Sequence, residues 1–275
     1  MRMNTFLWGL ASLCLGSNAQ ALTKDHFDKI EYAVNIGTGT TLPYATDTLT
    51  DEFNAAFSFI RFEDSPSEKL VTYFDTPDRA LKQQALQIRV REHVTKPSKS
   101  KITVKLRATD PQGFGDISGY KKAEIDYDGD KTKYSVSYDI PYSPDDINVK
   151  SLAFDVVIDH IRNHDDAWAL VKTILEQRGD DLKQTVVMRT YDWEGYMTDP
   201  RFDGIEVDFQ VWTPYYRRPR TAFSDFSFKG LTKDRDELDQ AFQYLYDQVQ
   251  ASGLTDGIHT GSKTKATFKM TPGFH

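Results

Sequence analysis

Two short runs of alternating cations carry the first chemical suggestion in this chain. In Leu86 to Glu92, Arg89 and Arg91 share one side of an extended strand with Gln87, while Leu86, Ile88 and Val90 take the other. Successive side chains of a strand point to opposite faces, so this follows from the period of two. Lys101 to Arg107 repeats the device, with Lys101, Thr103, Lys105 and Arg107 opposed to Ile102, Val104 and Leu106. A wet face of an antiparallel sheet is the ordinary explanation of such a stripe. That face usually mixes signs, however, because like charges side by side destabilise a sheet. No acid falls on the cationic side of either run, so an anion between the cations is expected. Phosphate suits Arg forks and Lys ammonium groups alike.

Carboxylates supply the complementary chemistry. In the run GIEVDFQVW, Glu206 and Asp208 stand two apart with Gln210 on one face of a strand, against Ile205, Val207, Phe209 and Val211. Paired oxygens of this kind suit a hard cation such as Mg2+ or Mn2+; a polar sheet edge is the plain alternative. In KKAEIDYD, Lys122, Glu124 and Asp126 share a face, which surface ion pairing would also explain. In KIEYAVNI, Glu31, Ala33 and Asn35 lie opposite Ile30, Tyr32, Val34 and Ile36. His160 and His164 are four apart, but without a third ligand they read as ordinary helix histidines. Gly37 to Thr41 reads as a turn that lacks the lysine of a P-loop.

YFDTPDRAL, followed by LQIRVRE and KITVKLR, resembles the core of the CYTH domain, the triphosphate tunnel metalloenzyme family. The resemblance runs from about Lys29 to Lys269. It implies an α+β fold: an antiparallel eight-stranded β-barrel, or tunnel, with helices packed on the outside. It also implies a lumen lined by Lys and Arg for a triphosphate and by carboxylates for a divalent metal. On that basis Arg89, Arg91, Lys105, Lys122, Arg189 and Lys263 are expected to bind phosphate, and Glu31, Glu124, Glu206 and Asp208 to bind metal. Members open on a Glu-x-Glu-x-Lys strand, where this chain has Glu31, Ala33 and Asn35.

The elements that must hold these residues can be sketched from the same rules. Met1 to Ala21 reads as a secretory leader: Arg2 is its basic start, Phe6 to Leu15 its apolar part, and Ala19-Gln20-Ala21 its cleavage site. A periplasmic or secreted protein is therefore expected, with residues 22–275 forming one barrel domain. The single cysteine, Cys14, falls in that leader, so no disulfide is expected in the remainder. Helices are expected from Thr50, over Ser151 to Gly179, and over Asp234 to Ser252, while Ser262 to Met270 reads as a closing strand. With 34 Lys and Arg against 41 Asp and Glu, the net charge is −7. An acidic exterior argues against nucleic acid and anionic membrane as partners, though not against a basic interior.

Two functions follow as expectations. The first is a metal-dependent phosphohydrolase acting on a triphosphate or short polyphosphate. The second is an exported binding protein that holds such a polyanion without turning it over, as Ala33 and Asn35 would allow. The aromatic and cationic run YYRRPR, Tyr215 to Arg220, reads as an exposed loop.

Overall fold

The computed structural model describes residues 21–36, 48–127, 131–216, 223–254 and 262–274. The expected leader, the Gly37 to Thr41 turn and most of the YYRRPR loop lie outside them. The strands are β1 (Lys29–Ile36), β2 (Ile60–Phe62), β3 (Ser67–Asp75), β4 (Leu86–His93), β5 (Lys101–Ala108) and β6 (Lys122–Tyr127). They continue as β7 (Thr132–Pro141), β8 (Lys183–Gln184), β9 (Met188–Met197), β10 (Glu206–Pro214) and β11 (Phe223–Leu231). The α-helices are α1 (Asp51–Ala56), α2 (Ala80–Gln83), α3 (Phe154–Arg162), α4 (Asp165–Arg178), α5 (Arg235–Ala251) and α6 (Lys263–Lys269). None of the described helices is long and apolar enough to cross a membrane.

Nine strands close into a ring in the order β9-β10-β11-β1-β6-β7-β5-β4-β3, with β3 pairing back onto β9. The short β2 and β8 extend the edges of β9 and β3. This corrects the eight-stranded, all-antiparallel expectation. A closed ring with an odd number of strands cannot alternate direction throughout, and the one parallel seam among its pairs is β1 with β6.

Most apolar side chains of the ring face outward and are covered by helices, while Val71, Tyr73 and Trp212 meet Phe268 at the lumen. Ile30, Tyr32, Val34 and Ile36 of β1 join Phe226 and Phe228 of β11 beneath α1 and α5. Ile88, Val90, Ile102 and Val104 of β4 and β5 join Val157, Ile161, Val171 and Ile174 beneath α3 and α4. Burial of this kind is the main stabilising term. It leaves the other half of each strand to line the interior of the ring.

Local chemistry sets the boundaries. Thr50 caps α1, its Oγ1 accepting from the Phe53 N–H at 3.2 Å. The stretch expected as one helix over Ser151 to Gly179 breaks at Asn163, and His164 caps α4 by accepting from Ala167 N at 3.4 Å. His160 donates to its own helix at Val156 O, 2.9 Å away, so both histidines are engaged locally. The expected closing strand at Ser262 to Met270 is the helix α6, capped by Ser262 Oγ, which accepts from Lys265 N at 3.2 Å. With β3 already joined to β9, the ring offers that segment no free edge.

One glycine is required by packing. A Cβ on Gly230 of β11 would lie 2.5 Å from Cδ1 of Leu238, which is buried on α5. Gly230→Val is therefore expected to push α5 off the barrel and cost about 1–3 kcal/mol. A thermal midpoint equal to wild type would contradict this packing.

Candidate active site

The interior of the ring is a cavity of about 850 Å3, within the roughly 300–1,000 Å3 of small-molecule sites. Among the described residues, thirteen Lys and Arg but only eight Asp and Glu line it. The cavity is thus net cationic inside a chain whose net charge is −7.

Register explains the convergence. Arg91 of β4 stands directly across from Lys101 of β5, Arg89 from Thr103, and Gln87 from Lys105. Lys101 is held by Asp139 of β7 at 2.6 Å, and Thr103 donates to the same carboxylate at 2.8 Å. Arg89 and Arg91 have no such partner: neither forms a hydrogen bond or ion pair among the described residues, and the buried Arg89 Nε is left unsatisfied. The Arg89 guanidinium, together with burial, pulls Arg91 down to about 10 despite Tyr73, Asp139 and Asp192 nearby. Two guanidinium groups two residues apart, facing one hollow and without a hydrogen-bonded partner among the described residues, have the donor chemistry that suits an oxyanion.

A second group sits on β1 and β6, where the parallel register sets Glu31 beside Asp126. Carboxylate oxygens of Glu31, Glu124 and Asp126 lie within 4.8 Å of one another. Three carboxylates so placed have the donor chemistry of a hard divalent cation. Lys229 of β11 approaches Glu31 at 3.0 Å and Glu124 at 3.5 Å. Lys105 and Arg107 approach Asp126 at 3.3 and 3.5 Å. Burial opposes ionisation of Glu31, but Lys229, Lys105 and Lys263 outweigh it and hold the carboxyl at about 2.

The wall formed by β9 to β11 is more acidic. Lys69 of β3 is paired with Asp192. Lys263, from α6, reaches Asp225 at 2.7 Å and Gln210 at 3.4 Å. Burial raises Asp225, only partly countered by Lys263. Asp208 is pushed up to about 7, first by burial and then by Asp192 and Glu194. The turn after β3, which also lines the cavity, is organised by Asp75, whose oxygens accept from Thr76 N, Leu81 N and Arg79 Nε at 2.9, 2.9 and 3.1 Å. Arg79, at φ 66°, lays its guanidinium 3.4 Å from the Phe268 ring and so joins that turn to α6.

Eight of the ten expected site residues line this cavity: Arg89, Arg91, Lys105, Lys122, Lys263, Glu31, Glu124 and Asp208. Arg189 does not. It belongs to the outward set of β9, paired with Glu68 at 3.0 Å and with its guanidinium 4.7 Å from the Tyr215 ring. Glu206 shares the inward parity of Asp208 but lies exposed at the end of β10, beyond the cavity lining. Lys69, Asp139, Asp192 and Lys229 of the lining were not singled out from sequence, and Lys101 and Asp126, though placed on the right faces, were given no role. Lys229 and Asp225 were detectable, because FSDFSFKGL alternates Asp225, Ser227 and Lys229 with Ser224, Phe226 and Phe228.

No family model matches the chain, and no curated protein matches it. Solved structures do. One is a protein from Hippeastrum described as a candidate adenylyl cyclase with a dominant triphosphatase activity: 10% identity, TM-score 0.47, covering 90% of this chain and 100% of that one. A candidate adenylate cyclase from Vibrio parahaemolyticus is 11% identical, with TM-score 0.41 and coverages of 87% and 97%. Another, from Bacillus halodurans, is 15% identical, with TM-score 0.44 and coverages of 88% and 98%. At these values no residue role is carried from them to this chain.

Proposed function

We propose that this chain is a divergent CYTH-type tunnel, a phosphohydrolase that binds a triphosphate or short polyphosphate in its cationic lumen and cleaves it with the help of a divalent metal. The observation that carries this reading is the unpaired Arg89 and Arg91, facing the same hollow as the Glu31, Glu124 and Asp126 cluster. Arg89 and Arg91 grip the phosphate oxygens, and Lys101, Lys105 and Lys122 surround them with further cations. Glu31, Glu124 and Asp126 would hold Mg2+ or Mn2+, which when bound offsets phosphate charge and polarises the scissile group. Water attacks phosphorus, the anhydride P–O bond breaks, and the leaving phosphate oxygen takes the electron pair and the proton that the water gives up, in the field of the lysines. Such transfer asks mainly for positioning and charge stabilisation, both of which fixed cations supply.

Incubation with tripolyphosphate and Mn2+ is expected to release phosphate, and Glu124→Gln to slow that release by about 100-fold. Absence of release from every di- or triphosphorylated compound tried would remove the catalytic reading. A second reading then stands, a binding protein without turnover, favoured by Ala33 and Asn35, which line the lumen with no charge. Calorimetry separates the two: tight binding with no loss of tripolyphosphate over hours supports the carrier. Export belongs to the same proposal and rests on the leader pattern alone, so cell fractionation is its check.

A further inference from the structure

Three carboxylates within 4.8 Å need cations between them, and here the cations belong to the protein. Lys229 takes the bridging place, its Nζ 3.0 Å from Glu31 Oε2 and 3.5 Å from Glu124 Oε1. Backbone register enforces this, since Lys229 is the residue of β11 directly across from Glu31. The neighbouring counter-ions differ from it. Lys105 is only 15% exposed in its side chain and is anchored on Asp126, whereas Lys229 is 44% exposed and borders the lumen.

We propose that Lys229 is a tethered counter-ion that competes with divalent metal at Glu31 and Glu124, so that metal loading requires its displacement. The inference rests on the reading of the three carboxylates as a cation site. A displaced ammonium needs a new partner, and a phosphate oxygen in the same lumen provides one. Metal and polyanion would then assist each other, and linkage makes that assistance mutual. Without the anion, Lys229 returns to its two carboxylates and the metal is expelled.

The test is calorimetric titration of Mn2+ into wild type, Lys229→Met, Lys229→Gln and Lys229→Arg, all without phosphate, with circular dichroism to verify folding. Removing one positive charge from the carboxylates is expected to tighten Mn2+ binding by about tenfold or more in both neutral variants, while Lys229→Arg stays near wild type. Binding no tighter in Lys229→Met and Lys229→Gln than in wild type overturns the proposal. Adding Glu124→Gln to Lys229→Met locates the failure. If Mn2+ affinity ignores Glu124, the cluster is not the cation site and the underlying reading falls as well. If Glu124→Gln abolishes binding that Lys229 never influenced, only the competition is wrong.

Discussion

Replacing Arg91 with leucine is expected to weaken tripolyphosphate binding by about 100-fold while making the ligand-free protein more stable. The two effects share one cause. Hydrogen bonds from a guanidinium to phosphate are worth about 1.5–3 kcal/mol each, and each 1.4 kcal/mol is about tenfold in affinity. In the empty lumen the same charge is unfavourable, because Arg89 and burial lower Arg91 to about 10 from its ordinary 12.5. A base with a lowered folded-state pKa binds its proton less well folded than unfolded. Its charge therefore costs stability at every pH below about 10, and the cost is relieved only above that. Leucine removes it, and a gain of 1 kcal/mol raises the midpoint of a domain of this size by about 2–4 °C. Calorimetry and a melting curve test the pair. Unchanged affinity, or a lowered midpoint, would show that Arg91 is structural.

A second large effect is expected from pH, through Asp208. Its carboxyl is raised from 3.8 to about 7, so the folded protein retains between those values a proton that the unfolded chain has released. The unfolded state binds fewer protons there, and stability accordingly falls as pH rises from about 4 to about 7. Asp208→Asn abolishes this contribution. The variant is expected to exceed wild type at pH 8 by on the order of 2–4 kcal/mol, with the difference vanishing toward pH 4. Glu31 has the opposite sign: held at about 2, it stabilises the fold at neutral pH and loses that contribution as pH falls toward 2. Urea midpoints of both proteins in chelator across pH 4–9 decide the matter, and parallel curves would remove the half-buried, proton-holding Asp208.

Much of the lumen was legible because a strand has only two faces. Once Ile88 and Val90 are assigned to the covered side of β4, Arg89 and Arg91 have nowhere to point but inward. The same reasoning serves Glu31 on β1 and Glu124 on β6. Arg189 shows where a family pattern misled. Val187, Tyr191 and Trp193 are buried in the apolar clusters outside the ring, and Arg189 shares their parity on β9. Glu206 failed for another reason: its parity is inward, but parity says nothing of depth, and it stands past the end of the cavity. Asp126 shares a face with Glu124 in the sequence, yet its value as a third carboxylate came only from β1 lying parallel beside it.

What the amino-acid order determined by itself is the division of each strand into a covered and a lumenal side, since alternation is a local property of extended backbone. Tertiary structure alone decided the number of strands in the ring, the parallel seam that an odd number imposes, and the conversion of the last segment into a helix. It also decided which charges meet. Lys229 and Glu31 are nearly two hundred residues apart in sequence and 3.0 Å apart in space. Ring closure and register set that distance, and neither is written in any short stretch of the chain.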